Sequence, residues 1–105
     1  MKMSDKCIST GIMKLLSKKW MLIILRNLYD NKKIRFNELS NMVNGVSSRT
    51  LSKRLKELER TKIVGKETFN EIPPRVEYSL TEAGRELIKG FKRMDDWVRG
   101  WKIKI

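Results

Sequence analysis

The 105-residue sequence predicts a mainly α-helical protein with one small β-hairpin. Two observations carry this prediction. Apolar residues recur at helical spacing before Thr61 and after Thr81, and between these positions the period changes to the alternation of strands. The length is that of one domain, so we expect a single folded unit over 1–105.

The first elements are two helices and a short strand. Apolar spacing predicts a short helix over 8–18 and a second helix over about 19–30. The second is apolar nearly all round, so we expect it to be the central buried helix, with Trp20 in the core. A short strand over 34–36 follows, with Phe36 directed inward. The apolar side of the first helix consists of Ile8, Ile12, Leu15 and Leu16.

Two short helices joined by a glycine turn come next. Apolar residues over 36–43 have the spacing of a third helix, and Asn44-Gly45 is a turn signal. An amphipathic helix over about 48–61 follows, and either Ser47 or Ser48 can cap it by accepting a hydrogen bond from a backbone N–H. Two such helices around a glycine-containing turn form a helix-turn-helix.

The helix over 48–61 separates apolar from cationic residues. Leu51, Leu55 and Leu58 are spaced i, i+4, i+7 and form one narrow apolar stripe. At about 100° per residue, four cations fall on the opposite face. Such a helix can rest on a core and still enter a DNA major groove; a solvated basic face is the alternative interpretation. The four cations are Arg49, Lys53, Lys56 and Arg60.

The segment over 63–80 has the pattern of a β-hairpin. Residues 63–69 and 75–80 alternate as strands do, and the intervening residues 70–74 contain two prolines that stiffen the loop. A hairpin that directly follows the second helix of a helix-turn-helix is a wing. The sequence therefore predicts a winged helix-turn-helix.

The last predicted element is one long helix that begins after Thr81, which can cap it. Its apolar residues recur at four- and three-residue spacing, as in a heptad stripe. This stripe exceeds what the periphery of one small domain needs, so we favour a seam between two chains over packing on the chain's own core. The stripe consists of Leu87, Phe91, Met94, Val98 and Trp101.

The composition favours a polyanionic partner. Lys and Arg number 24 against 12 Asp and Glu, which gives a formal net charge of +12 and a pI near 10.1. Nucleic acid or an anionic membrane surface would suit such a charge. The longest apolar run, 20–25, is far shorter than the ~20 residues that cross a bilayer, and the N-terminus lacks the apolar core of a signal peptide. We expect a soluble, cytoplasmic protein without a membrane partner.

The residue types give little support to catalysis. The chain has no histidine, which removes Ser-His and Cys-His nucleophile pairs. It has neither a glycine-rich phosphate loop nor a cluster of metal-ligand residues. The single cysteine, Cys7, excludes an intrachain disulfide and is typical of a reducing compartment. We expect no enzyme, no cofactor and no metal site.

Three segments of the sequence are similar to motifs of a known family: RFNEL at 35–39, RLKELE at 54–59 and PPRVEYSLT at 73–81. The pattern extends over about residues 7–100 and resembles the HxlR family of winged helix-turn-helix transcriptional regulators. The resemblance implies a homodimer held mainly by the first and last helices. It also implies binding of a DNA operator through the helix at 48–61 and the wing at about 70–75.

Position along the fourth helix sets the predicted DNA contacts. Arg49 is the best candidate for a bidentate contact to guanine, with a phosphate contact as the open alternative. Thr50 either touches a thymine methyl or completes the cap. Lys56 and Arg60 lie further back, where they meet phosphates or only solvent. The front of the helix, where base edges are reached in this fold, holds Ser47, Ser48, Arg49, Thr50 and Lys53.

Other cations have predicted roles outside that helix face. We expect Arg35 to meet the DNA backbone, and Arg75, whose direction the two prolines set, to contact phosphate or the minor groove. Lys66 is a weaker candidate in the wing. For Arg54 we favour a structural ion pair, with Glu38 or Glu57, over DNA contact.

The predicted dimer interface combines residues from both ends of the chain. Cys7 lies near one end, and two interpretations of it remain open. Some members of the resembled family sense electrophiles or oxidants through a cysteine placed like this one, and nearby lysines favour the thiolate. The alternative is a small buried hydrophobe at the interface. The interface residues are Ile8, Ile12, Leu87, Phe91, Met94, Val98 and Trp101.

Together these features predict a homodimeric, sequence-specific DNA-binding transcriptional regulator. Its partner would be a double-stranded operator with the two-fold, pseudo-palindromic symmetry of the dimer. The alternative within nucleic-acid binding is an architectural protein with low sequence specificity. A basic membrane-surface or protein-interaction module is a third hypothesis, and the stiff hairpin argues against it.

Overall fold

The computed structural model describes the backbone of residues 5–105 and the side chains from residue 10 onward. Predictions that concern the side chains of Cys7 and Ile8 therefore lie outside the described residues. Over the described part, six helices and three strands give the mainly α architecture with a hairpin that the sequence predicts. Their order is α1 (Asp5–Leu16), α2 (Met21–Asp30), β1 (Ile34–Arg35), α3 (Phe36–Met42), α4 (Ser48–Arg60), β2 (Val64–Phe69), β3 (Arg75–Leu80), α5 (Glu82–Ile88) and α6 (Gly90–Gly100).

The three strands form one antiparallel sheet in the order β1-β3-β2. β2 and β3 pair along their full length, from Val64 opposite Leu80 to Phe69 opposite Arg75. The two-residue β1 joins the other side of β3, with Ile34 opposite Tyr78. We call β2, β3 and the connecting residues 70–74 the wing, because this hairpin directly follows α4 as the sequence predicts.

The turn between α3 and α4 depends on Gly45. Its φ of 95° lies in the left-handed region, and a Cβ there would come within 3.2 Å of the Trp20 ring. Ser47 then begins α4: its Oγ accepts a hydrogen bond from the Thr50 N–H at 3.1 Å. Of the two serines that can cap this helix, the structure uses the first.

The core lies where α2, α4 and the sheet meet. The leucine stripe of α4 is buried as predicted, and Met21, Ile24, Leu25 and Leu28 face it from α2. α2 is a central core helix as predicted, but its apolar surface is not buried on every side, since Leu22 and Ile23 are 48% and 51% exposed. α1, α3, α5 and β3 contact this helix and leave that side of it uncovered. Trp20 is partly buried and packs against the core.

The predicted last helix is interrupted, since α5 ends at Ile88 and α6 begins at Gly90. Thr81 caps α5 as predicted, its Oγ1 accepting the Gly84 N–H at 3.0 Å. Gly84 brings α5 against the chain that joins α4 to β2: a Cβ on this glycine would lie 2.1 Å from the Ile63 carbonyl oxygen. Backbone contact at this junction leaves no room for a side chain.

Phe91 needs a correction. The heptad spacing places it in a seam between chains, but it is 8% exposed and belongs to the core of the single chain. Its ring meets that of Tyr29 edge-to-face, with centroids 6.3 Å apart. Packing within the chain therefore already accounts for this residue. The longest described helix, α4, has 13 residues, and no helix in the described part is long and apolar enough to span a membrane.

Candidate nucleic-acid interface

The surface of α4 opposite the leucine stripe carries a row of unpaired cations. Within the described residues, none of these four side chains forms an ion pair or a side-chain hydrogen bond, and all four are exposed. A helix rises about 1.5 Å per residue, so the row is about 16 Å long. We call it the α4 row. It consists of Arg49, Lys53, Lys56 and Arg60.

Two of the predicted front residues are occupied by the cap. Ser47 Oγ accepts the Thr50 N–H and donates to Thr50 Oγ1 at 3.0 Å, so these hydroxyls satisfy each other. Of the two predicted roles for Thr50, completion of the cap is the one seen. Ser48 is exposed beside them. At the front of α4, the side chains left for a ligand are therefore those of Ser48, Arg49 and Lys53.

The side of α4 next to the row is tied to the corner between α1 and α2, residues 17–20. Glu57 accepts hydrogen bonds from Lys18 Nζ and, at 2.9 Å, from Arg54 Nη1. Arg54 Nε donates to the Lys19 carbonyl oxygen at 3.0 Å. The predicted ion pair between Arg54 and Glu57 is confirmed, and the contact to Lys18, 39 residues away in the chain, is new.

The environment of Glu57 keeps this carboxyl ionised. Its side chain is 13% exposed and that of Arg54 is 15% exposed. Burial alone would raise the pKa of the Glu57 carboxyl, but the hydrogen bonds from Lys18 and Arg54 outweigh it and hold the pKa below the ordinary value of 4.5. The group is therefore a charged anchor at neutral pH.

The wing differs from α4 in that its cations have partners. Arg75 Nη1 lies 3.0 Å from Glu71 Oε2 and its Nε lies 3.4 Å from Glu77 Oε2. The Arg75 guanidinium also stacks over the Phe69 ring, 4.0 Å from its centroid. Lys66 pairs more loosely with Glu59 of α4 at 3.8 Å. The two wing cations predicted to contact DNA thus meet carboxylates within the chain.

The tip of the wing borders a cleft. Ile72 is fully exposed there, next to Pro73 and Pro74. The cleft of about 390 Å³ separates residues 71–76 from the start of α3. Arg35 stands on its far wall; the side chain is exposed, and the backbone N–H donates to Glu38 Oε1 at 2.9 Å. Arg35 and the tip of the wing therefore lie on one side of the molecule, as their shared predicted role requires.

A separate surface is apolar. Leu22 and Ile23 of α2 form a shallow groove of about 290 Å³ with Phe91 and Met94 of α6. At its edge Arg26 donates twice to the Asp95 carboxylate, at 3.0 and 3.2 Å, which fixes α6 against α2. Because the hydrogen bond from Arg26 outweighs burial, the pKa of Asp95 lies below its ordinary value.

The other predicted interface residues with described side chains lie on α1, α5 and α6 and directly after α6. Ile12 and Val98 are half-buried, whereas Leu87, Met94 and Trp101 are exposed. Trp97 is exposed as well. Leu22 and Ile23 were not predicted for this surface, because an apolar run of six residues contains no signal for which side of the helix stays uncovered.

The chemistry available at the α4 row is hydrogen bonding and charge neutralisation. Guanidinium groups offer paired donors to phosphates or to the acceptor edge of guanine, and lysines offer point charges. No group of three or more His, Cys, Asp or Glu residues in the described part could hold a metal ion. The arrangement therefore suits a polyanion that fits along one helix.

Comparison with known proteins agrees with this geometry. The profile of the family described as HxlR-like helix-turn-helix matches residues 15–104. The HTH-type transcriptional regulator YdeP of Bacillus subtilis (strain 168) is 42% identical over 87 residues, which are 83% of this chain and 67% of that protein.

Solved structures show the same fold. A transcriptional regulator of the MarR family from Enterococcus faecalis V583 superposes with a TM-score of 0.82 at 30% identity, covering 97% of this chain and 92% of the other. The diamide-treated form of YodB from B. subtilis has a TM-score of 0.73 at 35% identity, covering 95% of this chain and 96% of YodB. The fold predicted from the sequence is thereby confirmed.

Proposed function

The chain belongs to the HxlR-like helix-turn-helix family and is a winged-helix transcriptional regulator rather than an enzyme, and we propose that it binds a specific DNA operator as a homodimer. In this proposal α4 lies in the major groove and the wing lies along the adjacent backbone or minor groove. The observation that carries it is the α4 row, a set of exposed cations on a helix whose opposite side is anchored in the core.

The α4 row has the dimensions that a major groove requires. The groove is about 12 Å wide and admits one α-helix along its floor. A row about 16 Å long reaches base edges at its front and both flanking phosphate strands further back. A lysine or arginine that has no ion-pair partner can bind phosphate without first breaking an ion pair. Each member of the row therefore adds its full electrostatic contribution to the free energy of DNA binding.

Within the row, Arg49 and Lys53 are the proposed base-contacting residues and Lys56 and Arg60 the phosphate-contacting ones. Arg49 follows the exposed Ser48 and has no partner among the described residues, so its guanidinium is available for guanine O6 and N7. The alternative for Arg49 is a phosphate contact.

The wing has a supporting role in this proposal. Its predicted cationic contacts, Arg75 and Lys66, are already paired, and breaking those pairs would offset part of what a phosphate contact contributes. We propose that Arg75 holds the hairpin in shape through Glu71, Glu77 and the Phe69 ring. The exposed tip and Arg35 then meet the DNA backbone as the helix docks.

The proposed dimer uses the apolar surface around α6 and α2. Met94 lines the apolar groove, and Trp97 and Trp101 are exposed further along or directly after the same helix. So many exposed apolar side chains exceed the scattered exposure that is normal for a monomer of this size. A two-fold dimer presents two α4 helices to half-sites about one DNA turn apart, which is why the operator is proposed to be pseudo-palindromic. Ile12, Leu87, Val98 and Trp101 remain proposed interface residues.

The test of DNA binding is selection from a random duplex library with the wild-type protein, followed by titration of the recovered duplex. Lys53→Ala combined with Arg49→Ala should abolish enrichment of that duplex. Lys92→Ala combined with Arg93→Ala removes the same charge from exposed positions on α6 and serves as the matched control. If the wild type binds tightly but enriches no sequence, the protein is an architectural DNA-binding protein and specificity fails.

The test of the dimer is light scattering of two aspartate variants. Met94→Asp puts a charge on the proposed interface and should give a monomer, because an unpaired charge is costly to bury. Ile72→Asp makes the same kind of change at the fully exposed wing tip and should leave the dimer intact. A dimer in both variants would place the interface elsewhere.

The sensing role of Cys7 stays a prediction. YodB, to which this chain is similar, has been crystallised after diamide treatment, and Cys7 is the only cysteine of this chain. The measurement is operator affinity before and after treatment with diamide, with Cys7→Ser as the control. Unchanged affinity in the wild type would favour the interpretation of Cys7 as a small apolar residue.

A further inference from the structure

The recognition helix α4 is held from two sides by different kinds of contact. On one side the leucine stripe packs into the core, and on the other Glu57 and Arg54 reach the corner at 17–20. Apolar contact is non-directional, so it resists separation of a helix from its core more than rotation about the helix axis. Charge-assisted hydrogen bonds have defined lengths and angles and therefore resist rotation.

The corner contacts the helix-turn-helix at two separate points. Trp20 packs against Gly45 in the turn just before α4, and Lys18 with the Lys19 carbonyl engages Glu57 and Arg54 in the body of the helix. Two fixed points along a rod set its direction, and the second also resists rotation because it acts on the side chains of Glu57 and Arg54, which lie off the helix axis. Glu57 lies next to Lys56 in sequence, about 100° around the axis, so its anchoring sets where the α4 row points.

The corner itself is well defined. The Ser17 hydroxyl donates to the Lys14 carbonyl at 3.0 Å, and the Met21 N–H donates to the Lys18 carbonyl at 3.0 Å. Trp20 between them has a φ of 75°, in the left-handed region. Because the corner is fixed by its own hydrogen bonds, it is rigid enough to fix the orientation of α4, the helix that it contacts.

We propose that Lys18, Glu57 and Arg54 are positioning residues for sequence recognition: through them the corner between α1 and α2 sets the rotation of α4 and so directs Arg49 and Lys53 at the bases. This inference rests on the proposed function, since it concerns how the same helix reads an operator. It assigns an effect on specificity to Lys18, which lies outside both the helix-turn-helix and the wing.

The first test compares two neighbouring lysines. Lys18→Met breaks the hydrogen bond to Glu57, whereas Lys19→Met removes an equal charge and keeps the carbonyl that Arg54 needs. We expect Lys18→Met to lower affinity for the selected duplex about tenfold, the loss of roughly one base-specific contact, and to lower affinity for random duplex only slightly, as Lys19→Met does through the lost charge. Lys19→Met should leave the ratio of the two affinities as in the wild type.

A conservative substitution at position 18 distinguishes a positioning role of Lys18 from a role in folding stability. Lys18→Arg keeps a cation that can reach Glu57 and should restore most of the ratio. All titrations are run at a temperature well below the melting temperature of each variant, measured by circular dichroism. A general loss of folding would reduce both affinities together and would not depend on which cation occupies position 18.

A second pair probes the same contact from α4. Glu57→Gln and Glu59→Gln each remove one negative charge from the helix, and both should bind random duplex slightly more tightly. Only Glu57→Gln should lower the ratio of selected to random affinity, since Glu59 is joined to the wing through Lys66 at 3.8 Å and not to the corner.

The outcomes separate this inference from the proposed function. Equal ratios for Lys18→Met and Lys19→Met, or for the two glutamine variants, would overturn the positioning role and leave the regulator proposal in place. A wild-type protein that selects no sequence at all would overturn both. A ratio lowered only in Lys18→Met and Glu57→Gln, and restored by Lys18→Arg, supports the positioning role.

Discussion

Helix α4 and the wing are consecutive in the chain but carry their charges in opposite ways. α4 has five cations and two carboxylates, and four of the cations are exposed without a partner in the described residues. The wing, over 64–80, has two cations and three carboxylates, and both cations are paired within the chain. The unpaired cations of α4 are available to bind a polyanion, whereas the cations of the wing already form ion pairs within the chain.

This difference predicts that α4 would supply binding free energy to a DNA complex, whereas the wing would contribute through its shape. Free cations release counterions from DNA and supply binding energy, whereas paired cations stabilise the element that holds them. In the proposed function the wing is a stiff projection whose shape Arg75 maintains through Glu71, Glu77 and the Phe69 ring.

Replacement of Gly84 should disrupt the junction from which both elements extend. In Gly84→Ala the new Cβ would meet the Ile63 carbonyl, so α5 or the connection between α4 and β2 must shift. We expect a loss of about 3 kcal/mol in the free energy of unfolding, measured by urea denaturation. Gly11→Ala, where nothing lies within 4 Å, is the control and should gain about 0.5–1 kcal/mol. Equal stability of the two variants would contradict the tight junction.

Replacement of Arg49 should separate base contact from phosphate contact. Arg49→Ala is expected to lose about 1–3 kcal/mol on the selected duplex and little on random duplex, measured by fluorescence anisotropy. Arg93→Ala, an exposed arginine on α6, is the control. If Arg49→Ala weakens both duplexes equally, Arg49 is a phosphate contact, and specificity rests on Ser48 or Lys53.

The salt dependence of binding should distinguish a free cation from a paired one. Each phosphate neutralised contributes about −0.9 to the slope of log K against log salt, so Lys56→Ala or Arg60→Ala should reduce the slope of a dimer by about 1.8. Arg75→Ala should change the slope by less than about 0.5, because Glu71 and Glu77 already neutralise this side chain. A reduction near 1.8 in Arg75→Ala would show that the wing contributes charge after all.

The smallest effect is a change in acid stability. The pKa of Glu57 is lower in the folded chain than its ordinary value of 4.5, so the carboxylate stabilises the fold above that pH, and the contribution disappears as pH falls through the folded-state pKa. Wild type should therefore exceed Glu57→Gln in stability at pH 7, and the difference should shrink below about pH 4.5. A difference independent of pH would mean that the hydrogen bonds do not depend on the charge.

Local sequence signals predicted most of the helix-turn-helix and the hairpin. The leucine spacing of α4, the caps at Ser47 and Thr81 and the glycine turn at Gly45 each depend on residues a few positions apart. Such signals are complete within one turn or one helix, which is why the structure reproduces them. The alternation of strands before and after the two prolines is local in the same sense.

The misjudged features depend on residues that are distant in sequence. Phe91 has the spacing of a seam residue, yet Tyr29, far along the chain, is what covers it. The uncovered side of α2 is set by which elements pack on it, and periodicity contains no information about partners. The contact between Lys18 and Glu57 and that between Arg26 and Asp95 span 39 and 69 residues, beyond any local pattern.

The strand order of the sheet has a consequence for self-association. β3 lies between β1 and β2, so one edge of β2 has no strand partner in the sheet. Exposed edges with apolar side chains recruit strands from other chains and lead to aggregation. Here the middle of the edge carries Lys66, Glu67 and Thr68, all exposed, and strand addition from a second molecule would be unfavourable. The β2 edge is therefore unsuited to self-association, which is consistent with the proposed dimer contact through helix side chains.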